Sequence, residues 1–411
     1  MKPVVLIVSQ AAQKTGLARV ARGMAAQLAA HCEMHVLGID CFDAQPAEIM
    51  PGGWTLHGNS RRYDMFAEMR LRELVDALQP DHVILYNDLG VIERYFDRLD
   101  QAAHRCAVIG YCPVDGNIIH AEAVAALVRL DALVVFTNFA RAAMQDAAAR
   151  VGLGEHAVFR QTHVIAHGLE MDDFHPWPVA EADDDRRRRA ARRALFPQQA
   201  ALWEGFWVLN ANRNQPRKRL DLTLEGFARF VAGKPADVRL YLHTGMQGIG
   251  IDILSCAATL GITERLLLSR RDGLHPDADT SRLNLIYNAC DVGVNTAIGE
   301  GWGLVSCEHA ATRAAQIVPR HSACAELWRD AAALLEPVQA VCAGLLDGGV
   351  IDPAELAQQL QYLYDDDIHR QRMAAAAHAR VTAPAYGWSQ VAAQWRGLFD
   401  EVQLGKQAAA R

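Results

Sequence analysis

The chain has 411 residues, just over half of them hydrophobic, so we expect about two to three globular domains, each with its own core. The formal net charge of −7 argues against general nucleic-acid binding. No run of about eighteen apolar residues occurs, so the sequence predicts no membrane-spanning helix. The nine cysteines form no C-x-x-C pair, which favours a cytoplasmic protein with reduced thiols.

The first half of the chain alternates between apolar strands and amphipathic helices. Residues 3–9 form a nearly continuous apolar run, typical of a parallel strand buried on both faces. After a loop, Thr15 is a suitable N-cap for a helix that begins at Gly16. Such alternation predicts a doubly wound parallel sheet with right-handed crossovers. Further strands are predicted at 34–39, 82–86, 106–111 and 133–136, and helices near 63–78, 118–129 and 139–150.

Polar residues follow two of these strands, at the sheet edge where doubly wound domains bind ligands. Asp88 comes directly after one strand, and Asp115 follows the next, with His120 a few residues further on. Asp115 is either a carboxylate that faces the ligand or a cap for the next helix. The loop before Gly16 either meets a phosphate at the helix N-terminus or merely starts that helix.

A charged segment separates the two halves of the chain. The apolar strand that begins at residue 163 ends the first half, and three aspartates at 183–185 then precede arginines at 186–189, 192 and 193. This run predicts a solvated helical linker whose surface ion pairs each contribute less than about 1 kcal/mol. A basic patch for anionic lipid or an acidic partner is the alternative.

The second half opens with a strand at 206–211. Arg213 follows that strand, and Lys218 comes five residues later, where a helix begins. Cations near a helix N-terminus suit a group that accumulates negative charge. Three more strands are predicted at 238–243, 266–269 and 316–319.

The most informative stretch is Cys290–Ala311. Its buried strand leads into a loop with glycines at 299, 301 and 303 and then into a helix. Glycines let the backbone approach a ligand closely, and a helix that begins at Gly303 directs its N–H groups into the loop, which suits an anion. Glu300 and Glu308 flank this turn. The stretch therefore predicts a ligand site.

The letters of this stretch resemble the donor-binding motif of a large family of retaining glycosyltransferases. That motif is E-G-[FW]-G-L, with a second glutamate seven intervening residues after the first. The matching positions here are Glu300, Gly301, Trp302, Gly303, Leu304 and Glu308. Arg213 and Lys218 match the family's cations in type and spacing. The family is that of the glycogen-synthase-like and sucrose-synthase-like enzymes, the glycosyl transferases of group 1.

This resemblance implies an α/β fold of two facing Rossmann-like, doubly wound domains of the GT-B type. Such a fold has an interdomain cleft and a C-terminal helix that crosses back to the first domain. Residues 1–175 would form the acceptor domain, 176–204 a charged linker and 205–385 the nucleotide-sugar donor domain. Residues 386–411 would be the closing helix, since Trp388 and Trp395 resemble its pattern.

The resemblance also implies roles for the motif residues. Arg213 and Lys218 would stabilise the departing diphosphate, and Glu308 would bind the ribose hydroxyls. Glu300 and the N–H groups of the segment 301–303 would hold the donor sugar, with Leu304 beside them. Gly16 would lie beside the donor diphosphate, although the family's usual Gly-Gly is reduced here to Thr-Gly. With two cations at the diphosphate, no metal and no cofactor other than the nucleotide sugar is expected.

At two positions the sequence departs from the family's pattern, and at a third it does not reveal which base is bound. The family often carries a histidine that faces the donor sugar, and either Asp115 or His120 would replace it, with Asp88 nearby on the acceptor side. Paired glycines before E-L are replaced by Ala323 and Cys324. The base would be read near residues 270–273, but nothing there identifies it.

The resulting hypothesis is a retaining, metal-independent hexosyltransferase that moves a sugar to a hydroxyl in glycan, glycolipid or polysaccharide synthesis. The acceptor would be a glycan, a lipid-linked molecule or a small molecule. A peripheral contact with the inner face of the membrane stays open for this cytoplasmic protein. A sugar-nucleotide epimerase or a phosphorylase on the same scaffold is an alternative, although no motif supports the lysine a phosphorylase needs. A non-catalytic nucleotide-sugar-binding partner of another transferase is the third.

Overall fold

The computed structural model describes residues 2–12, 15–42, 47–59, 61–179, 183–246, 249–270 and 275–409. The predicted base-reading loop therefore lies outside the described residues from position 271 to 273. The chain divides into two compact units. Unit 1 combines residues 1–168 with 384–411, and unit 2 comprises residues 169–383.

Unit 1 is built on an eight-stranded sheet with the order β3-β4-β2-β1-β5-β6-β7-β8. All neighbouring strands are parallel except β3 and β4, which pair antiparallel. The central strand is buried from Val5 to Val8, as its apolar run predicts. The strands are β1 (Val4–Ser9), β2 (Glu33–Gly38), β3 (Glu48–Met50), β4 (Trp54–Gly58), β5 (His82–Tyr86), β6 (Ala107–Cys112), β7 (Ala132–Val135) and β8 (His163–Val164).

The helices of unit 1 follow the predicted alternation, with shifted ends. The helix expected near 63–78 begins only at Glu68, because Ala67 has a left-handed φ of 57° and the Asp64 carboxylate accepts the N–H groups of Glu68 and Met69. The segment 121–129 is a 3₁₀ helix. The α-helices of residues 1–168 are α1 (Gly16–Leu28), α2 (Glu68–Leu78), α3 (Leu89–Ile92), α4 (Phe96–Asp100), α5 (Asn138–Arg150) and α6 (Ala157–Arg160).

Unit 2 contains a six-stranded parallel sheet with the order β11-β10-β9-β12-β13-β14. The strand order reverses between β9 and β12, which is where doubly wound sheets bind ligands. A separate antiparallel hairpin, β15–β16, follows the sheet. The strands are β9 (Trp207–Asn210), β10 (Arg239–Leu242), β11 (Leu266–Leu268), β12 (Val292–Val294), β13 (Ala315–Pro319), β14 (Ala333–Leu335), β15 (Pro337–Ala343) and β16 (Leu346–Ile351).

Helices cover the sheet of unit 2, and its core is continuous from the strands into them. Phe227, Leu240 and Leu356 are buried in one cluster. Gly226 lies so close to Leu356 that an added Cβ would come within 2.6 Å of its Cδ2. The helices are α7 (Asp184–Leu195), α8 (Leu220–Val231), α9 (Ile253–Thr259), α10 (Thr280–Ala289), α11 (Leu304–Ala311), α12 (Ser322–Leu327), α13 (Pro353–Asp365) and α14 (Asp367–Val381).

The charged segment is not a solvated helix along its whole length, so that expectation is wrong. Arg188 and Arg192 of α7 are buried. Arg192 donates to the carbonyl of Ala289 at 2.8 Å and to the Asp291 carboxylate at 2.6 Å, and Arg188 donates to the carbonyl of Asn288 at 3.1 Å. These carbonyls end α10, where a helix needs donors and favours positive charge. The helix α7 is therefore packed into unit 2.

The C-terminal helix α15 (Trp388–Ala409) belongs to unit 1. Trp395 contacts Tyr111 edge to face at 5.0 Å between ring centroids, and Phe399 stacks on His82 at 4.7 Å. At the start of α15, the Trp388 ring lies against Gly168, where an added Cβ would come within 2.1 Å of Cδ2. The helix therefore completes the core of a unit whose last strand, β8, ends far earlier in the sequence, at Val164.

Candidate functional site

The predicted donor-binding residues gather at the carboxyl ends of β9 and β12. Arg213 and Lys218 come from the segment after β9, and Glu300 comes from the loop after β12. These strands are neighbours in the parallel sheet and flank the point where its order reverses. The topology therefore places side chains that are 82 residues apart in sequence within reach of one another.

A hydrogen-bond network fixes the backbone around Lys218. A 3₁₀ turn, Pro216–Lys218, ends at Arg219, whose φ of 46° is left-handed. The Thr296 hydroxyl, from the loop after β12, lies 3.0 Å from the Lys218 carbonyl and 2.8 Å from that of Arg219. The Thr223 hydroxyl of α8 lies 2.8 Å from the same Thr296 hydroxyl. The loop after β12 thus holds the turn that carries the lysine.

Lys218 and Glu300 form a buried ion pair. Their side chains are 10% and 7% exposed, and the ammonium contacts carboxylate oxygen Oε1 directly. Asn295 donates to the same oxygen at 3.0 Å, and Arg217 lies 3.8 Å from Oε2. Burial alone would raise the pKa of Glu300, but Lys218 and Arg217, with the hydrogen bonds from Lys218 and Asn295, hold it below its ordinary value. The Glu300 carboxylate is therefore ionised at neutral pH.

The main chain of the loop ahead of Glu300 is bonded on several sides. The Ile298 N–H donates to the Arg217 carbonyl at 2.8 Å, and the Arg217 guanidinium donates to the Gly299 carbonyl at 3.1 Å. From the β15–β16 hairpin, the Gly349 N–H donates to the Ile298 carbonyl at 2.9 Å. An added Cβ at Gly348 would come within 2.2 Å of that same carbonyl oxygen. The hairpin thus packs directly against the motif loop.

The motif loop ends at Gly303, which has a φ of 86° and precedes α11. A left-handed φ at this position favours glycine, in agreement with the motif. Gly301 and Trp302 before it are buried, and Leu304 opens the helix. The first N–H groups of α11 point out of the helix toward this loop, an arrangement that favours an anion.

Glu308 lies about one turn into α11 and is only 1% exposed. The Tyr287 hydroxyl of α10 donates to its Oε2 at 3.0 Å. The Tyr287 ring is itself buried between Phe174, at 5.7 Å, and His309, at 5.6 Å between centroids. Sequence analysis missed this tyrosine, because nothing in its neighbourhood marks it as more than an apolar helix position.

Arg213 lies near His275, which sequence analysis did not mark as a site residue. Burial lowers the pKa of the half-buried Arg213. Burial, and then the positive charge of Arg213, lower the pKa of His275 to about 4, so its imidazole is neutral. The His243 ring lies 5.7 Å from that of His275, and its Nδ1 lies 2.7 Å from the Ser269 hydroxyl. The segment after β11 thus presents one neutral imidazole, that of His275, near the Arg213 cation.

In unit 1, Gly16 opens α1 at the end of the loop after β1. The Thr15 hydroxyl accepts the Ala18 N–H at 3.1 Å, which confirms the predicted N-cap. Gly16 itself is exposed. Its contact with a diphosphate stays a prediction.

Asp88 and Asp115 both lie near the buried hydroxyl of Tyr86. Burial raises the pKa of Tyr86 well above its ordinary value, and the negative charges of Asp88 and Asp115 raise it further. Asp115 does not cap the next helix, which begins at Ala121 with His120 in the cap position, so the capping alternative is wrong. His120 is exposed and pairs with Glu122 at 3.4 Å. The two aspartates therefore lie close to one phenol, while His120 is occupied at the helix start.

Beneath these carboxylates lies a buried cluster of aromatic residues and one histidine. Tyr86, Tyr111, Phe136 and His167 contact one another, with ring centroids 4.0 to 6.1 Å apart. The Tyr111 hydroxyl lies 2.8 Å from His167 Nδ1. Burial lowers the pKa of His167 to about 3. Tyr86, which lies near Asp88 and Asp115, thus belongs to an uncharged cluster.

Comparisons with known sequences point to one class of protein. A family model described as glycosyl transferase-like matches residues 261–397. The D-inositol 3-phosphate glycosyltransferase of Geodermatophilus obscurus is 28% identical over 261 residues, which cover 61% of this chain and 50% of that protein. The chain therefore spans about half the length of the curated relative that it matches.

Solved structures with the same fold cover nearly the whole chain. Sucrose-phosphate synthase from Thermosynechococcus elongatus has a TM-score of 0.73 at 15% identity, over 98% of this chain and 100% of that one. Anabaena HepE, solved in complex with UDP and glucose, has a TM-score of 0.70 at 14% identity, over 97% and 100% of the two chains. At such identities the likeness concerns the fold.

Two further findings concern the described residues alone. No helix within the described ranges is long and apolar enough to cross a bilayer. Among those same residues, no group of three or more His, Cys, Asp or Glu side chains could hold a metal ion. Independence from metal stays a prediction, as do the roles of the site residues. The chain has the two-domain GT-B fold, and its resemblance to the glycosyltransferases built on that fold is confirmed.

Proposed function

We propose that the protein is a retaining glycosyltransferase that moves a sugar from a nucleoside diphosphate sugar to a hydroxyl acceptor. The observation that carries this proposal is the buried Lys218–Glu300 pair at the point where the order of strands reverses. The same loop leads to the glycine-initiated helix that carries Glu308. A cation, a helix N-terminus and a ribose-binding carboxylate at one sheet edge suit a nucleoside diphosphate.

Lys218 and Arg213 are proposed to stabilise the leaving diphosphate. As the bond between the anomeric carbon and the phosphate oxygen breaks, negative charge builds on that oxygen, and preorganised cations stabilise it. Lys218 is held in place before the donor arrives, because its main chain is bonded to Thr296 and its ammonium to Glu300. Two fixed cations and a helix N-terminus can provide the stabilisation that Mg²⁺ gives other phosphoryl enzymes.

Glu308 is proposed to bind the ribose, since a carboxylate can accept hydrogen bonds from two vicinal hydroxyls. Tyr287 holds its Oε2 and thereby sets its orientation. The N–H groups of Gly301, Trp302 and Gly303 are proposed to contact the donor sugar. The half-buried Arg213 and the neutral His275 beside it would lie toward the nucleotide.

Unit 1 is proposed to bind the acceptor through Asp88 and Asp115, which lie at the carboxyl ends of β5 and β6. The acceptor oxygen would form a bond to the anomeric carbon on the face that the diphosphate leaves. The acceptor proton would pass to the departing phosphate oxygen, as the resemblance to retaining enzymes suggests. Asp115 would then orient the acceptor or donor hydroxyls, and it would not act as the final proton acceptor.

Two of the comparisons support this proposal and guide the choice of donor. The curated relative is named a glycosyltransferase that uses a phosphorylated inositol, and HepE was solved with UDP and glucose. UDP-sugars are therefore the first donors to test, with phosphorylated polyols and sugars as first acceptors. The role in glycan or glycolipid synthesis and a membrane contact remain expectations.

The first experiment is thermal unfolding of the full chain with UDP, GDP, ADP and their common sugar conjugates. A ligand at one hundred times its dissociation constant stabilises the folded state by about 2.7 kcal/mol, a readily measured shift. We expect one nucleotide to shift the wild type and to lose most of its effect in Glu308→Gln. Transfer is then measured as nucleotide release that depends on acceptor, with the anomeric configuration of the product read by NMR.

Each alternative predicts a different result in these assays. An epimerase would convert the sugar nucleotide in the absence of any acceptor. A non-catalytic partner would bind the nucleotide but release none with any acceptor. Inversion of the anomeric centre would refute retention, and no shift with any nucleotide would refute the proposed donor site.

A further inference from the structure

Helix α12 begins with a serine at a position where the backbone favours glycine. Ser322 has a φ of 47°, in the left-handed region that side chains with a Cβ rarely adopt. The glycines that the family carries near here were expected to be replaced at Ala323 and Cys324, but the left-handed position is Ser322. A serine held in this conformation suggests that its hydroxyl has a use that glycine could not serve.

The hydroxyl of Ser322 bonds to the main chain of the motif glutamate. The N–H of Glu300 donates to Ser322 Oγ at 3.1 Å. On the other side of the same residue, the Ala323 N–H donates to the Glu300 carbonyl at 3.1 Å. One turn therefore holds both polar groups of the Glu300 main chain, and the side chain of Glu300 holds Lys218.

His321 hydrogen-bonds to Ser322, and its other contact fixes which group is the donor. Its Nε2 lies 3.1 Å from the Ala297 carbonyl, and its Nδ1 lies 3.1 Å from Ser322 Oγ. A carbonyl can only accept, so Nε2 carries the proton and, in the neutral ring, Nδ1 must accept. The Ser322 hydroxyl then donates to Nδ1 and accepts from Glu300. Each hydrogen bond from Glu300 through Ser322 and His321 to Ala297 then has one donor and one acceptor.

The surroundings of His321 keep its ring neutral and in place. Burial lowers its pKa, while the bonds to the Ala297 and Gly349 backbones and the charges of Glu300 and Asp347 act in the opposite direction with smaller effect. The ring lies against the β15–β16 hairpin, where an added Cβ at Gly349 would come within 2.9 Å of His321 Cδ2. The hairpin thus fixes the histidine, which fixes the serine.

We propose that His321 and Ser322 are positioning residues, which set the Glu300 main chain and, through its carboxylate, the orientation of the Lys218 ammonium toward the leaving diphosphate. The inference rests on the proposed function for the step that Lys218 assists. It differs from the family's pattern, which uses glycines in this turn. It also gives Glu300 a task, orienting Lys218, beyond contact with the donor sugar.

The central variant is Ser322→Gly, because it separates backbone strain from the hydroxyl. Glycine accepts a positive φ without strain and leaves the Ala323 N–H in place, but it removes the bond to Glu300. We expect an unchanged or higher melting temperature, a nucleotide Kd within about twofold of the wild type, and a turnover at least about tenfold lower at similar KM. A purely structural serine would leave turnover unchanged, and that result would overturn the proposal.

Two substitutions at His321 test the direction of the contacts. In His321→Asn the side-chain oxygen can take the place of Nδ1 and accept from Ser322, whereas in His321→Gln the side-chain amide can take the place of Nε2 and donate to Ala297. Both variants lose ring packing and should melt at similar temperatures. We expect His321→Asn to keep several-fold more turnover than His321→Gln. Equal turnover in the two variants would contradict the relay.

A readout that needs no activity separates this inference from the proposed function. Lysine occurs only at positions 2, 14, 218, 234 and 406, so the Lys218 Nζ resonance can be assigned by NMR with Lys218→Arg. We expect Ser322→Gly to move that resonance toward that of the exposed Lys2 and to leave Lys234 unchanged. If the wild type transfers no sugar but the resonance moves, the proposed function fails and the positioning stands. If the resonance does not move, the positioning fails whatever the activity.

Discussion

The two units share a sheet plan but place polar groups at its carboxyl edge in opposite ways. In unit 2, Lys218, Glu300 and Glu308 are all buried. Lys218 pairs with Glu300, and Glu308 accepts a hydrogen bond from the Tyr287 hydroxyl. In unit 1, Asp88 is exposed and Asp115 half-buried, and the groups beneath them are uncharged. The first arrangement suits a ligand part that never varies, such as a diphosphate. If unit 1 binds the acceptor as proposed, the second arrangement leaves acceptor specificity to side chains that can change without disturbing the core.

The largest expected effect concerns the buried ion pair of unit 2. Glu300→Leu leaves the Lys218 ammonium buried without its carboxylate, so we expect a loss of about 3–5 kcal/mol in the free energy of unfolding, measured with urea. Adding Lys218→Met should restore most of that loss, because the double variant buries no unpaired charge. If Glu300→Leu cost less than about 1 kcal/mol, the pair would not be buried as described.

The next effect is on turnover. Lys218→Met should lower turnover by roughly a hundredfold, as is typical when one preorganised contact to a developing negative charge is removed. Lys234→Met is the matched control, since that lysine lies in the same unit but bonds to Gln361 and stacks over Phe230. Steady-state nucleotide release measures both. Retained turnover in Lys218→Met would remove the lysine from leaving-group stabilisation.

Acid should destabilise both units, because each contains a deeply buried histidine whose pKa is lowered. Burial lowers the pKa of His167 in unit 1 and of His309 in unit 2 to about 3, whereas an unfolded histidine has a pKa near 6.5. The unfolded state therefore binds more protons between about pH 6.5 and pH 3, and stability is lost as pH falls through that window. At pH 5 each histidine should cost about 2 kcal/mol relative to pH 7.5.

Urea unfolding at several pH values measures this slope. His167→Gln and His309→Gln should each flatten it by about one proton, despite a lower stability at pH 7.5. His31→Gln, at an exposed histidine, should leave it unchanged. A slope unaffected by both buried substitutions would show that these imidazoles are protonated in the folded state.

The smallest effect is expected on the acceptor side. Asp115→Asn keeps the shape of the side chain and removes its charge, so we expect turnover to fall about tenfold, the loss of one charged hydrogen bond, with an unchanged nucleotide Kd. Asp97→Asn, in unit 1 and with an 82% exposed side chain, is the control. Weaker nucleotide binding by Asp115→Asn would place this carboxylate on the donor side. The proposed division of donor and acceptor binding between the two units would then be wrong.

Sequence reasoning was most successful where function depends on local spacing. The strand, glycine loop and helix around Glu300 follow from the pattern of residues, and Gly303 has the left-handed φ that the motif requires. Arg213 and Lys218 were found because their types and five-residue spacing match the pattern of the resembling family. Each of these signals lies within a short stretch of chain, where the periodicity of one strand or one helix is visible.

The parts that sequence reasoning missed depend on distant contacts. Tyr287 and Ser322 act on Glu308 and Glu300 from other elements, and nothing in their own neighbourhoods announces those partners. The β15–β16 hairpin was not predicted at all. Arg188 and Arg192 were taken for solvated residues because a charge run gives no sign of the helix end that it will cap.

The interrupted course of unit 1 affects how the chain is made. Synthesis runs from the N-terminus, so the whole of unit 2 leaves the ribosome before α15 does. Until then, the surface of Tyr111 and His82 that α15 covers stays open to water and to other chains. Unit 2 can fold first from a continuous segment, whereas unit 1 must wait, with an apolar surface that invites chaperones or aggregation. A chain that terminated after residue 383 would thus contain the whole of unit 2 joined to a unit 1 that lacks α15.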